Sequence, residues 1–207
     1  AKITQAVPGA MVTSTGNIYS PAAATKFKLT DSVSGKLESI TLQIWTKGVP
    51  ADYQSFKLIA GDTKLSGNRV EVASGDDGVI SLIEFDTKNA SIVGDYSIEF
   101  EASGPHMSLA GARLDSLANH EGGDKPVDVV EKEEDKEEKN NTIAFGFKNV
   151  SEDKGEFAEW KTFTKGYGDP GNEADVSGSK SGAKITQAVP GAMVTSTGNI
   201  YSPAAAT

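Results

Sequence analysis

The sequence predicts an all-β fold, a sandwich or jelly roll, from the periodicity of its apolar residues and the spacing of its turns. The segment from Leu37 to Trp45 alternates apolar and polar residues, which places Ile40, Leu42 and Ile44 on one face of a strand. Turns rich in glycine, proline and aspartate separate such segments at intervals of about 8–12 residues. No helical pattern lies between them. We therefore expect a jelly-roll-like β-sandwich with an acidic linker or loop.

Further short strands are predicted on both sides of a central polar region. Between Lys26 and Leu117 they are Phe56–Ile59, Arg69–Val72, Val79–Phe85, Tyr96–Phe100 and Met107–Leu114. We assign residues 26–118 to the main part of the sandwich. Strand character resumes at Thr142–Lys148 and Phe157–Phe163, so residues 142–182 supply further strands of the same sandwich or of the next one.

The central polar region, residues 119–141, carries nine acidic and four basic residues. Its run from Glu131 to Lys139 contains no apolar side chain, and such a composition cannot bury a face. We predict an acidic linker or an exposed loop here.

The ends of the chain are identical. Residues 1–25 recur without change as residues 183–207, a period of 183 − 1 = 182 residues. Repeats on this scale indicate arrays of structural units. Three interpretations remain open: a tandem array of 182-residue units, an engineered copy of one terminal segment, or an arbitrary chain start within a fibre.

Each copy contains an apolar stretch that predicts a strand pair around Pro8-Gly9 or Pro190-Gly191. Two identical strands cannot fill one position in a single sandwich, and an unpaired strand is a template for another chain. We therefore predict strand exchange between units, with one copy as a redundant overhang as the alternative. The candidate residues are Ile3, Val7, Val12, Ile185, Val189 and Val194.

Composition excludes several classes of function. The chain has no cysteine, a net charge of −9 and no run of about 20 apolar residues. We expect no nucleic-acid partner and no membrane span, because basic clusters and long apolar segments are absent. Neither His106 nor His120 belongs to a catalytic or metal-binding pattern. The sequence therefore predicts that the protein is not an enzyme.

One glycine- and proline-rich loop from Gly166 to Gly178 concentrates oxygen ligands. Calcium is bound by six to eight oxygens from flexible loops. A calcium site is therefore one hypothesis for this loop, and it would be the protein's only cofactor. An ordinary turn that binds no ion is the alternative. The residues concerned are Asp169, Asn172, Glu173 and Asp175.

Four aromatic residues are candidates for stacking against sugar rings: Trp45, Tyr53, Trp160 and Tyr167. Trp45 ends an alternating strand and faces away from Ile44, which permits exposure. Packing in or around the core is the alternative.

Several segments resemble the jelly-roll domains of secreted and surface proteins of environmental bacteria, including those with PEP-CTERM sorting tails. They are Glu159–Phe163, Asp175–Gly178, Ile185–Gln187, Gly198–Ser202, Tyr96–Phe100, Gly104–Leu109 and Ala112–Asp115. This resemblance implies an extracellular or cell-surface protein with a structural or adhesive role.

These observations favour a structural subunit of an extracellular fibre or adhesive array. Its expected partners are other copies of itself, joined covalently in tandem or by strand exchange. The alternative is a carbohydrate-binding module of a larger secreted protein, whose partner would be a surface polysaccharide.

Overall fold

The computed structural model describes residues 1–6, 10–119, 146–148, 155–165, 171–179, 193–194 and 200–201. The described residues form strands, turns and bends, and no helix occurs among them. This part of the chain therefore has no helix that could cross a membrane. In chain order the strands are β1 (Lys2–Gln5), β2 (Met11–Val12), β3 (Ile18–Tyr19), β4 (Lys26–Val33), β5 (Lys36–Gly48), β6 (Lys57–Ala60), β7 (Thr63–Gly75), β8 (Gly78–Phe85), β9 (Gly94–Glu101), β10 (Met107–Asn119), β11 (Glu156–Trp160), β12 (Asn172–Glu173), β13 (Val176–Ser179), β14 (Met193–Val194) and β15 (Ile200–Tyr201).

The strands form where apolar residues recur with period two. In β4, Phe27, Leu29 and Val33 are buried, whereas Lys28 and Thr30 between them are exposed. This alternation is what a pleated strand with one face on the core requires. The prediction of an all-β fold is confirmed.

Strands β1 to β13 make one curled antiparallel sheet that folds into two layers. One layer has the order β12-β1-β4-β9-β6, and the other has the order β7-β8-β5-β10-β11-β13. The hairpin of β2 and β3 attaches to β10, and β14 pairs only with β15. Apolar side chains from both layers form a single core.

Two strand segments carry the chain from one layer to the other. In β7, residues 63–66 pair with β6 and residues 67–75 pair with β8. Gly67 lies at this bend, and a Cβ there would be only 2.6 Å from the Ile83 side chain, so the close approach requires glycine. On the opposite side, β12 and β13 are separated by two residues and belong to different layers.

Strand β11 returns to the main sandwich. It pairs with β10, with Leu114 opposite Ala158, and its Trp160 is completely buried. Phe163, just beyond the strand, also joins the core. Within residues 142–182, β11 and Phe163 thus contribute to the same core as β10. Within residues 119–141, Asn119 ends β10, and the rest of the predicted acidic linker lies outside the described residues.

Candidate functional site

The first copy of the repeat supplies a core strand. β1 lies between β4 and β12, with Lys2 opposite Thr30 and Ile3 opposite Leu29 on one side. On its other side Ile3 is opposite Asn172. Ile3 is completely buried, as the core face of a central strand requires. We call this position between β4 and β12 the strand slot.

The rest of the first copy is anchored at the other end of the sandwich. Ile18 in β3 is completely buried and pairs with Leu109 of β10. The Phe163 amide donates to the Gly16 carbonyl at 2.8 Å, and the Tyr19 hydroxyl lies 2.8 Å from His106 Nδ1. The first copy is thus tied to the body of the protein through both β1 and the β2–β3 hairpin.

The predicted strand pair around Pro8-Gly9 is wrong. β1 pairs with β4 and β12, whereas β2 pairs with β3, so the two apolar halves of the stretch join different parts of the fold. Among the exchange candidates, Ile3 is a core residue and Val12 is half-buried against the core. Val7, Ile185 and Val189 lie outside the described residues.

The second copy repeats the hairpin of the first. Met193 pairs with Tyr201 and Val194 with Ile200, the same register as Met11 with Tyr19 and Val12 with Ile18. The offset is 182 residues in each case. Among the described residues, β14 and β15 form a separate two-stranded sheet.

The buried polar side-chain atoms that lack a hydrogen-bond partner in the described part of the chain all belong to the first copy. They are both amide atoms of Gln5 and the hydroxyls of Ser20 and Thr25. A buried polar group without a partner costs about 1–3 kcal/mol. These groups therefore reduce the net free energy by which the apolar contacts of the first copy stabilise the fold.

The predicted calcium ligands have protein partners. Asn172 Oδ1 accepts hydrogen bonds from the Thr164 and Lys165 amides, and Asn172 Nδ2 donates to the Lys165 carbonyl. Asp175 Oδ2 accepts from the backbone amides of Lys161 and Thr162 at 2.6 and 2.8 Å.

Of the remaining two predicted ligands, Glu173 forms an ion pair with Lys2 at 3.2 Å, and Asp169 lies outside the described residues. In the described part of the chain, no group of three or more histidine or acidic side chains could hold a metal. The calcium site remains a prediction. The hydrogen bonds of Asp175 fasten the turn before β13 to the residues that directly follow β11.

The sugar-stacking role is wrong for Trp160, because its ring is completely buried and its Nε1 donates to the Asn172 carbonyl at 3.0 Å. The ring of Tyr53 is stacked on Phe56 and lies 4.2 Å from the guanidinium of Arg69. These contacts place Tyr53 at the margin of the core.

Trp45 is half-buried. The Lys47 ammonium lies 4.7 Å from the centre of its ring, and its Nε1 donates to the Asp77 carbonyl. Tyr167 lies outside the described residues. The described candidates are thus packed against other groups and do not present a shared platform.

Sequence reasoning missed a charged network on the outer face of β10. Arg113 donates two hydrogen bonds to Asp115, each of 2.9 Å, and a third of 2.8 Å to Glu159 of β11. Burial lowers the pKa of Arg113, but these carboxylates raise it by more, so the guanidinium remains charged. The acids neutralise the base across two paired strands. Arg113 and Asp115 lie two residues apart on one face of β10. The pairing of β10 with β11 places Glu159 opposite Arg113, and the sequence gives no signal for that contact.

A second missed feature joins β5 to residues 146–148. The Gln43 side chain donates to the Lys148 carbonyl at 2.6 Å and accepts from the Lys148 amide at 2.8 Å. Gln43 is almost fully buried, so this amide replaces a strand partner for the Lys148 backbone.

No protein-family model matches the chain, and no curated protein matches it. Among solved structures, the collagen-binding subdomain ACE19 of the Enterococcus faecalis surface protein ACE is 11% identical, with a TM-score of 0.31; the match covers 59% of this chain and 86% of that one. Two structures of the pilus protein RrgB from Streptococcus pneumoniae are each 8% identical, with TM-scores of 0.30. They match 57% of this chain and 22% and 31% of their own lengths.

Proposed function

We propose that the protein is a non-enzymatic structural unit of an extracellular or cell-surface fibre or adhesive array. Its neighbours are other copies of the same unit, joined covalently in tandem or by β-strand exchange. The observation that supports this proposal most strongly is the burial of Ile3 in the strand slot, since the segment that fills the slot occurs twice in one chain.

The strand slot offers a way for the repeated segment to join one copy of the unit to another. A neighbouring copy carries a strand with the same side chains in the same order, so backbone pairing supplies affinity and the alternating apolar residues supply register. The described residues of each chain form one such slot, and two segments of the chain have the sequence that fills it. A contact between two chains through this slot therefore needs no new binding surface.

The entropy cost of association determines when strand exchange between chains is favourable. Replacing one copy by an identical one leaves the pairing unchanged, while association costs translational and rotational freedom. Linking units within one array raises their effective concentration to the millimolar range and reduces this cost. The proposal therefore favours covalent tandem joining, with exchange between separate chains at high concentration.

The described aromatic residues give no support to the carbohydrate-binding alternative. Trp160 is inside the core, and the rings of Trp45 and Tyr53 are each in contact with a cation. An extracellular location is supported by the resemblance to jelly-roll domains of secreted bacterial proteins and is part of the proposal.

Light scattering over a wide concentration range tests the assembly. We expect the mass to rise above the 21.6 kDa of one chain as concentration increases, with elongated particles visible by negative-stain electron microscopy. A mass that stays at 21.6 kDa at every concentration would contradict exchange between chains and would restrict the proposal to covalent joining.

A further inference from the structure

The end of β13 lies next to the beginning of the strand slot. Ala1 borders a cavity of about 270 Å³ together with Ser177 and Gly178 of β13. Ala183, which begins the second copy, follows the last residue of β13 by four residues. Four residues span up to about 14 Å when extended. The segment that leads into the second copy is thus short enough to begin that copy within about 14 Å of the end of β13.

The second copy also carries each side chain that the slot contacts. Lys2, whose ammonium pairs with Glu173, corresponds to Lys184, and the buried Ile3 corresponds to Ile185. The intervening segment from Gly178 to Gly182 consists of glycine, serine and one lysine, a composition suited to a turn.

We infer that residues 183–201 fill the strand slot of their own chain in exchange with residues 1–19. The chain then has two arrangements, and the second is a circular permutation of the first. Permutation is tolerated where the two ends of a unit lie close together. This inference rests on the role that the proposed function gives to the slot, and it names the segment that competes for it.

Release of the first copy is made easier by its unpartnered polar atoms. Both side-chain amide atoms of Gln5, which lies within residues 1–19, regain water when the segment leaves, which offsets part of the lost apolar burial. The identical second copy then restores the side-chain and strand contacts, but not the ion pair of 3.2 Å between the Ala1 ammonium and Asp31, because Ala183 has no free amine. Apart from this ion pair the paired strands of the two arrangements have the same sequence.

Exchange within a chain precedes exchange between chains. A short linker gives the second copy an effective concentration in the millimolar range at its own slot, above the concentration of a dilute solution. Once the second copy is seated, the first copy is a free strand with unpaired backbone groups, which another unit can accept. The partner of the displaced segment is a second copy of this chain.

Aspartate substitutions in the full chain test the inference. The variants are Ile3→Asp, Ile185→Asp and the double variant, compared by thermal unfolding and by light scattering in dilute solution. Because an unpaired buried charge costs several kcal/mol, we expect the double variant to lose roughly 10 °C or more in Tm. Each single variant should lose less than about 3 °C and remain monomeric, since the intact copy fills the slot.

Two matched comparisons keep the test interpretable. Met11 lies in β2 of the first copy, outside the strand slot, and its side chain is half-exposed. The Met11→Asp variant and the Met11→Asp/Met193→Asp double variant should therefore both stay within about 3 °C of the parent Tm. If the aspartate double variant does not fold, alanine at positions 3 and 185 gives the same comparison with a milder loss.

The outcomes separate the two proposals. Single variants that keep the parental Tm only as oligomers would overturn exchange within a chain and support strand exchange between chains. An Ile3→Asp variant that loses as much as the double variant, with Ile185→Asp silent, would overturn both forms of exchange.

Discussion

Ile3 of β1 lies directly opposite Leu29 of β4, and neither side chain is exposed to solvent. This pairing makes a segment that occurs twice in the chain part of the core of the sandwich. The identity of residues 1–25 and 183–207 is therefore more than a property of exposed loops. Under the proposed exchange this core position has two possible occupants, and the predictions below test the surroundings of that position and of the sheet.

The Tyr96 hydroxyl should make stability fall at alkaline pH. It donates to Asp31 Oδ2 at 2.9 Å, and burial, followed by the Asp31 charge, raises the pKa of Tyr96 far above its ordinary value. The unfolded chain releases this proton above about pH 10, whereas the folded chain retains it. The free energy of unfolding should then decrease by about 1.4 kcal/mol per pH unit from this residue.

Tyr96→Phe isolates this contribution. Near neutral pH the variant should be less stable by about 1 kcal/mol through the lost hydrogen bond. Urea unfolding at a series of pH values above 8 should show the two proteins converging and then crossing. The other tyrosines and the lysines are common to both proteins and cancel in the difference. Parallel profiles would show that Tyr96 ionises equally in the folded and unfolded states.

Asp175 should stabilise the protein without calcium. Its carboxylate accepts two backbone amides of residues 161 and 162, so Asp175→Ala should lower the free energy of unfolding by about 1–3 kcal/mol. Urea unfolding with excess calcium and with a chelator should give the same loss. Asp62→Ala, in the exposed β6–β7 turn, is the control and should have little effect.

The same experiment tests the calcium hypothesis. A bound ion stabilises the folded state by mass action. If chelation lowers the Tm of the parent but leaves Asp175→Ala unchanged, then the residue is an ion ligand and the account based on backbone amides is insufficient.

Gln43→Leu should loosen the attachment of residues 146–148. The substitution keeps the size of the side chain but removes both hydrogen bonds to the Lys148 backbone, at a cost of about 1–3 kcal/mol. Amide exchange at Lys148 should accelerate while exchange along β5 stays slow. Gln54→Leu, at an exposed turn position, serves as the control. Unchanged exchange at Lys148 would mean that other contacts hold this segment.

Much of the sandwich could be predicted because apolar and polar residues alternate along strands that have one buried face. The segments predicted as strands between Lys26 and Leu117 correspond to β5 through β10, and Phe157–Phe163 overlaps β11. Trp45 was expected to face away from Ile44, and the structure agrees: Ile44 is completely buried, and Trp45 is half-buried. These features depend on residues that are close in sequence, and sequence patterns predict such features well.

The remaining features depend on residues that are distant in sequence. β12 and β13 lie within a segment predicted as a loop, because strands of two and four residues beside glycines carry no periodic signal. Trp160 was a candidate for exposure, and only the pairing of β11 with β10 shows that its ring enters the core. The separate partners of β1 and β2 are likewise a consequence of sheet order.

Disulfide trapping tests most directly whether the strand slot accepts either copy. The chain has no cysteine, and directly opposite residues of antiparallel strands have Cα atoms about 4.5–5.5 Å apart, within the range of a disulfide. Thr30→Cys is combined with Lys2→Cys, its observed partner, or with Lys184→Cys, the equivalent residue of the second copy. We predict that both pairs form cross-links within one chain, which non-reducing electrophoresis and peptide mass spectrometry detect. Cross-linking of the first pair alone, with free thiols in the second, would contradict the account.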